Sequence, residues 1–408
     1  MIGIIIEEKK SKKLLWITII LLLIPLICSR VLSRIWGGRK PFVIVGLSYF
    51  TLQMIAYIAD VYKGKISAQK NILKYILFIS FFPQIIQGPI PRYEQLQHQL
   101  IEGHRFEEDN VVKGFMLILW GFFLKLMLAD KAAVLVNTVF GNYEVYAGVY
   151  IVLGGVLYSL QIYTDFLAYT TIAQGTASLF GISLADNFAH PYFSCSLKQF
   201  WARWHISLSR WLRDYIYIPL GGNRKRENVN IMITFLVSGL WHGFCLKYVV
   251  WGMMHAGYQI AGIKTFAWRE RIYRAIHIEE HSHLKEVIKR TGTFIWVTVA
   301  WIIFRADSTR QGLKMLCSSL KIFNPQILWN GSILRLGLEW QEILILVGSI
   351  LILMRCSKMQ EKYCIRDKIV KQPFAIRCAI YIAAISVIWI FGTYGYKFEA
   401  SDFIYGGF

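Results

Sequence analysis

Apolar runs of membrane-crossing length recur along this chain, from Leu14–Cys28 to the run over residues 374–395. They are continuous rather than alternating. A bilayer core of about 30 Å takes about 20 apolar residues in a helix. Backbone polar groups in lipid are satisfied only inside helices or closed barrels. Continuous runs select helices. The fold class is therefore an all-α polytopic membrane protein. Roughly nine to eleven transmembrane or re-entrant helices are expected on this reading. Composition agrees: 55% of residues are hydrophobic, 17% are charged, and the mean hydropathy is +0.43. Soluble domains carry about a quarter charged residues.

Taken in order, residues 1–13 read as a basic leader and 14–28 as a retained first span. Basic flanks and the lack of a small-residue cleavage site argue against a signal peptide. A basic loop with Gly37-Gly38 covers 29–41, and residues 42–60 are apolar. Residues 71–91 begin as a helix, but Pro83, Gly88, Pro89 and Pro91 do not fit inside one. The stretch Gln87–Tyr93 reads as a re-entrant segment or an interfacial loop. Irregular backbone survives at membrane depth only where protein surrounds it. Residues 96–112 are a polar connection. A span carrying Lys125 is expected over 113–129, with one or two more over 147–183 around Asp165. Two lie in 230–265. Spans near 292–305, 340–355 and 374–395 complete the chain. Residues 266–291 hold His277, His281 and His283 in a charged surface segment without metal-ligand spacing, so no metal is expected.

The formal charge is +20. Its basic residues cluster between apolar segments, as at Lys9–Lys13, Arg34–Lys40 and Arg224–Arg226. That is the pattern of positive loops at a cytoplasmic face meeting anionic lipid headgroups, not of a nucleic-acid binder. The seven cysteines are odd in number and contain no C-x-x-C pair. A disulfide framework and a zinc cluster are thereby disfavoured, and most read as buried apolar fillers.

Residues 198–257 hold the groups with chemical potential. As one helix, 201–215 places Trp201, Trp204, His205, Leu208, Trp211 and Tyr215 on one face. Arg203, Ser207, Arg210, Arg213 and Asp214 fall on the other. An interfacial helix accounts for most of this, but not for a histidine on the apolar face. The turn Pro219–Arg226, with Asn223 and Arg224, could grip donor phosphates or serve as a positive-inside loop. His242 lies beside Trp241 inside an apolar run, between Gly239 and Gly243. An ionisable group there is a functional candidate by default. A neutral imidazole suits a general base. A core histidine satisfied by a neighbouring helix is the competing account, and His255 is a weaker case of the same kind. Asp165 could orient a histidine or pair with a cation such as Lys125. Signatures of elbow hydrolases, P-loops, zincins and dinucleotide folds are not present in the sequence.

Taken together these stretches resemble the membrane-bound O-acyltransferase family, and within it the bacterial alginate O-acetyltransferase-like branch. The resemblance rests on Phe200–Ser209, on Arg213-Asp214-Tyr215 leading into Pro219–Arg224, and on Gly239–Gly243. Gln87–Arg92, Asn187-Phe188 with Pro191-Tyr192, Phe304-Arg305-Ala306 and the terminal Phe403-Ile404-Tyr405 extend it. It implies a catalytic core over 42–310. Residues 1–41 precede that core, and C-terminal helices and a tail occupy 311–408. The sequence departs from the family at Asp165-Phe166-Leu167-Ala168-Tyr169-Thr170-Thr171, where an acid is usual at the last position. It also has a single span before residue 42, where members often have more.

The resemblance implies a central tunnel with His242 as catalytic histidine and His205 as its polar companion. It implies acyl transfer from a cytoplasmic thioester, acetyl-CoA first, to a hydroxyl of an extracellular polysaccharide. Transfer would be direct or through an extracytoplasmic partner transferase, at a bacterial plasma or inner membrane. Arg203, Trp204, Arg213, Asn223, Arg224, Trp241, Asp165, Gln87 and Arg92 are the candidate donor or acceptor contacts. No bound cofactor is expected. D-alanyl transfer to teichoic acid from a carrier-protein thioester is the alternative within the family. A non-catalytic transporter is the alternative outside it, since intramembrane histidines and broken helices also suit proton-coupled transport.

Overall fold

The computed structural model describes residues 1–35, 46–279, 282–360 and 363–394, which are predominantly helical and contain no strand. The N-terminal group is α1 (Ile2–Lys9), α2 (Lys12–Ile35) and α3 (Leu47–Tyr62); α4 (Ile72–Ser80) and α5 (Tyr93–Ile101) flank a broken segment. Next come α6 (Glu108–Phe123), a π-helical stretch over Leu124–Ala129, α7 (Asp130–Gly141) and α8 (Val149–Leu179). The central motifs form α9 (Leu197–Arg203), α10 (Ile206–Leu212), a second π-helical stretch over Arg213–Tyr217, α11 (Glu227–His242) and α12 (Leu246–Lys264). The remaining helices are α13 (Phe266–Ala275), α14 (His283–Arg305), α15 (Thr309–Lys321), α16 (Trp340–Gln360), α17 (Ile365–Val370) and α18 (Phe374–Phe391).

Among the described residues, five segments are long and apolar enough to cross a membrane: Lys12–Leu32, Glu108–Gly141, Val149–Leu179, His283–Arg305 and Phe374–Phe391. The larger number expected from the sequence divides for a physical reason. Helices α3 and α11 have 16 residues each. At 1.5 Å per residue that is about 24 Å, short of the hydrocarbon thickness. Helix α3 is mostly buried inside the protein, whereas α11 is mostly half-buried.

Several expectations change in detail. The leader is not a plain tail, because α1 packs on α3 with Ile6 fully buried. The Lys125 span is longer than 113–129, running from Glu108 to Gly141 through the π-helical stretch. Residues 147–183 hold one long helix, α8. The cysteines are not buried fillers: Cys28, Cys245, Cys317 and Cys364 are exposed and the other three half-buried. For Cys28, on a spanning helix, this is no penalty, since lipid tails are as apolar as a core. Gly37-Gly38, His281 and the terminal Phe403-Ile404-Tyr405 lie outside the described residues.

The core is built on α8. Tyr158, Ile162 and Phe166 are buried on it, against Leu124 and Leu128 and against Trp301 of α14. Helices α6 and α8 cross where Gly114 meets Gly175. A Cβ on Gly175 would stand 2.6 Å from the Gly114 carbonyl oxygen, so neither position has room for a side chain.

The broken segment is a hairpin. At one end of α3, Arg30 Nη2 donates to Ser48 Oγ at 3.2 Å. At the other end Lys63 Nζ donates to the Asp214 carbonyl at 3.5 Å, and Arg92 pairs with Asp214 at 3.0 Å. Helix α4 stops at Ser80, and the turns after it press Ile85 against Gly46, just before α3. A Cβ on Gly46 would be 2.1 Å from the Ile85 carbonyl oxygen, and Gly46 itself has φ +76°. The chain then returns to Arg92. Its tip therefore lies about one α3 length from the cluster of Lys63, Arg92 and Arg213.

Candidate active site

Helix α11 ends at His242 because Gly243 adopts extended backbone next. A Cβ on Gly243 would stand 2.7 Å from the Tyr248 ring, so only glycine fits the turn into α12. The two helices cross closely. A Cβ on Gly239 would be 2.3 Å from the Tyr248 carbonyl oxygen, and one on Gly252 would be 2.4 Å from that of Phe235. Gly239→Val is therefore expected to push α11 off α12 and displace His242. Activity should fall at least about tenfold, with about 1–3 kcal/mol lost from stability. Melting of the detergent-solubilised variant beside wild type checks this, and an unchanged midpoint would contradict the packing account.

His242 is only 3% exposed. Edges and faces of Trp241 (4.9 Å), Trp251 (5.2 Å) and Phe304 (5.2 Å) surround its ring. This aromatic box keeps bulk water away from the imidazole.

His205 reaches the same place by a route the sequence misjudged. Residues 201–215 are not one helix. The chain breaks between α9 and α10, and His205 sits at the break with φ 44° and ψ 55°, in the left-handed region. That conformation is uncommon for a residue with a side chain. It turns His205 inward. The ring is 1% exposed and meets Phe166 edge-on at 4.7 Å. Trp241 packs on both histidines, its ring 6.0 Å from His205 and 4.9 Å from His242.

Further buried polar groups lie on α3, α11 and the broken segment. Tyr49 packs edge-on against Trp241 at 5.7 Å. The Tyr49 hydroxyl, the Trp241 indole N–H and the carboxamides of Gln53 and Gln87 are buried with no protein partner among the described residues. Buried polar groups are nearly always hydrogen-bonded to protein or water. Of these exceptions, the Tyr49 hydroxyl and the Trp241 indole N–H belong to rings that pack on each other next to the two histidines. Gln87 lies on the hairpin.

The remaining candidates separate into other places. Arg92, Arg213 and Asp214 form one ionic cluster: Arg213 Nε lies 2.8 Å from Asp214 Oδ1, and the Arg92 guanidinium stacks over Tyr215 at 4.4 Å. Tyr215 in turn donates to Asp60 Oδ2 at 2.6 Å. Asn223 and Arg224 are exposed on the glycine turn, where Gly221 and Gly222 have positive φ. Asn230 Nδ2 pins that turn through the carbonyls of Gly222 and Lys225, at 2.9 and 2.6 Å. The turn precedes α11 and His242 ends it, so about 24 Å of helix separates them. Trp204 is a core residue, stacked on Phe200 at 5.5 Å and against Trp301 at 5.2 Å. Arg203 lies just before the break, half-buried, its carbonyl accepting from Ala189 N–H at 3.0 Å.

Asp165 binds the Lys125 ammonium at 2.8 Å, and Asp130 binds it at 3.0 Å. All three are buried. His255 accepts from the Trp201 indole N–H at 3.3 Å and sits in the core, separated from His242 by Trp251.

The family model for the membrane-bound O-acyltransferases matches residues 65–275. The chain belongs to that family. Among its curated relatives, the probable alginate O-acetylase of Pseudomonas putida is 35% identical over 287 residues, covering 68% of this chain and 56% of the relative. The peptidoglycan O-acetyltransferase of Helicobacter pylori is 31% identical over 301 residues, 67% of this chain and 56% of the relative. The teichoic acid D-alanyltransferase of Bacillus subtilis is 29% identical over 233 residues, 52% and 57%. The chain thus spans a little over half the length of these relatives. This member of the family is an integral membrane protein.

Two residues at the site escaped the sequence reading. Arg30 was assigned to a loop, yet it sits on α2 and its Nη2 lies 3.4 Å from the Trp241 carbonyl oxygen. The rule that an intramembrane cation has a specific partner would have found it, had α2 been extended past Cys28. Asn187 stood inside a recognised motif without a role. It touches His205, with Oδ1 at 3.3 Å from Nδ1.

Proposed function

We propose that this protein is a membrane-embedded O-acyltransferase that moves an acyl group, acetyl foremost, from a cytoplasmic thioester to a hydroxyl of an extracellular polysaccharide. The observation that carries the reading is the buried histidine pair around Trp241, with the Tyr49 hydroxyl and the Trp241 indole N–H buried there without a protein partner among the described residues. The alginate O-acetylase and peptidoglycan O-acetyltransferase relatives support a polysaccharide acceptor.

His242 acts as general base. It takes the proton of the acceptor hydroxyl as that oxygen attacks the thioester carbonyl carbon. The C–O bond forms, the C–S bond breaks, and the departing thiolate takes the proton back. The aromatic box excludes water, which would otherwise compete as nucleophile. His205 orients the acceptor, and Gln87 and Trp241 offer it hydrogen bonds. Arg92, Arg213, Asn223 and Arg224 belong to the basic end, where the donor's phosphates dock. A donor held there needs a long flexible thiol arm to bring its carbonyl to His242. Acetyl-CoA has such an arm, as do carrier-protein thioesters. An extracytoplasmic transferase takes the acyl group onward where the acceptor chain lies beyond the membrane.

The test is transfer by the purified full-length protein in lipid nanodiscs. Acetyl-CoA with labelled acetyl and a D-alanyl carrier-protein thioester are offered separately, with surface polysaccharide as acceptor. Ester formation from acetyl-CoA is expected. Ester from the carrier thioester alone would move the reading to D-alanylation. Solute or proton flux without ester from either donor would overturn it in favour of transport.

A further inference from the structure

Asn187 lies in the connection between α8 and α9 and is 2% exposed. Both its backbone and its side chain face the start of α10. Its carbonyl accepts from Ile206 N–H at 2.9 Å. Its Oδ1 accepts from Ser207 N–H at 3.1 Å and from the Ser207 hydroxyl at 2.9 Å. Two residues on, Ala189 N–H donates to the Arg203 carbonyl at 3.0 Å, so the strand of chain 187–189 bridges the break on both sides. The first N–H groups of a helix lack partners within the helix. Here a residue remote in sequence supplies them, and His205 can occupy the left-handed region at the junction.

The same oxygen lies 3.3 Å from His205 Nδ1. Its chemical identity is settled by its neighbours. A backbone N–H donates only, so the Asn187 atom facing Ser207 N is the oxygen and not the amide nitrogen. A carbonyl oxygen accepts only. The contact is a hydrogen bond when His205 Nδ1 carries the proton, and in that neutral ring the lone pair resides on Nε2. A group that fixes the tautomer of a histidine decides which nitrogen can act on a substrate.

We propose that Asn187 is the positioning residue of His205: it holds the imidazole as the Nδ1–H tautomer at the α9–α10 break, so that Nε2 accepts the hydrogen bond of the acceptor hydroxyl. This role rests on the acyltransferase reading, but the tautomer does not. The carboxamide does two things at once. It completes the α10 N-terminus, which is structural, and it selects the His205 nitrogen, which is not. A neutral amide also leaves His205 uncharged, where a carboxylate would favour the imidazolium.

The experiment is nitrogen-15 NMR of histidine-labelled full-length protein in lipid nanodiscs, with His205→Gln assigning the signal among the nine histidines. Wild type is expected to show His205 protonated on Nδ1. Asn187→Ala is expected to lose that preference and, in the acyl-transfer assay, to lower kcat by about ten- to a hundredfold with KM within about threefold. Asn187→Asp keeps the acceptor oxygen and the cap. It is expected to restore the Nδ1–H and to move the acidic limb of the pH–rate profile to higher pH, since the added carboxylate favours the charged, inactive ring. His205 protonated on Nε2 in wild type would overturn the proposal without any variant. So would a folded Asn187→Ala protein with unchanged His205 signals. Wild type that transfers no acyl group defeats the functional reading instead, and the NMR signals still decide what Asn187 does.

Discussion

His242→Ala is expected to lower acyl transfer by about 10²–10⁴-fold, the span a positioned general base contributes. The ring lies in a box of Trp241, Trp251 and Phe304, 4.9 to 5.2 Å away between centroids. Removing it leaves a small aromatic-walled hole, so some stability is lost with the activity. His242→Gln fills more of that space and cannot act as a base near neutral pH. Comparing the two separates chemistry from packing: both should be inactive, and the glutamine variant should melt closer to wild type. Ester formation per milligram of folded protein is the measurement, with folding followed by size-exclusion profile and melting midpoint. Activity of the glutamine variant within about threefold of wild type would remove His242 from the mechanism.

Lys125→Met is expected to cost the largest share of stability, about 3–5 kcal/mol, as when one partner of a buried ion pair is removed. Lys125 is shared by Asp165 at 2.8 Å and Asp130 at 3.0 Å, and all three are buried. Deleting the cation strips both carboxylates of their ammonium in low dielectric. The π-helical stretch Leu124–Ala129 that carries Lys125 joins α6 to α7, so the damage falls where two core helices meet. Poor membrane accumulation and a lowered melting midpoint are the readouts. Adding Asp165→Asn should return part of the loss by removing one stranded charge. If that double variant also keeps most of its acyl transfer, Asp165 holds the scaffold and does not touch substrate. A double variant that folds well but is inactive would return Asp165 to the site. The placement matters because Phe166, the next residue, packs against His205 at 4.7 Å. A shift in the ion cluster is therefore one residue from the histidine pair.

Much of the candidate site was readable before any geometry. His242 announced itself as an ionisable group in an apolar run, with Gly239 and Gly243 marking a close helix crossing. His205 stood out for the same reason. The prolines of 83–91 predicted a broken segment, and the structure makes it a hairpin whose tip lies against Gly46. Asp165 was ambiguous between orienting a histidine and pairing with Lys125, and the Lys125 pair is what formed.

The sequence by itself determined that the chain is helical and membrane-embedded, because continuous apolar runs leave the backbone no other way to satisfy its polar groups. It also determined which ionisable residues lie in apolar surroundings, because that is a property of neighbours along the chain. The tertiary structure alone decided which of them meet. Helical periodicity put His205 on a continuous aromatic face, but the break between α9 and α10 is stabilised by Asn187, nearly twenty residues upstream, through hydrogen bonds that no local pattern encodes. Arg30 reaches the Trp241 carbonyl from the other end of the sequence, and the arginines near His242 in the sequence lie about a helix length away in space. Periodicity reports the face a residue occupies on its own helix. Which other face it meets depends on where small residues let backbones approach and where distant polar groups satisfy a helix end.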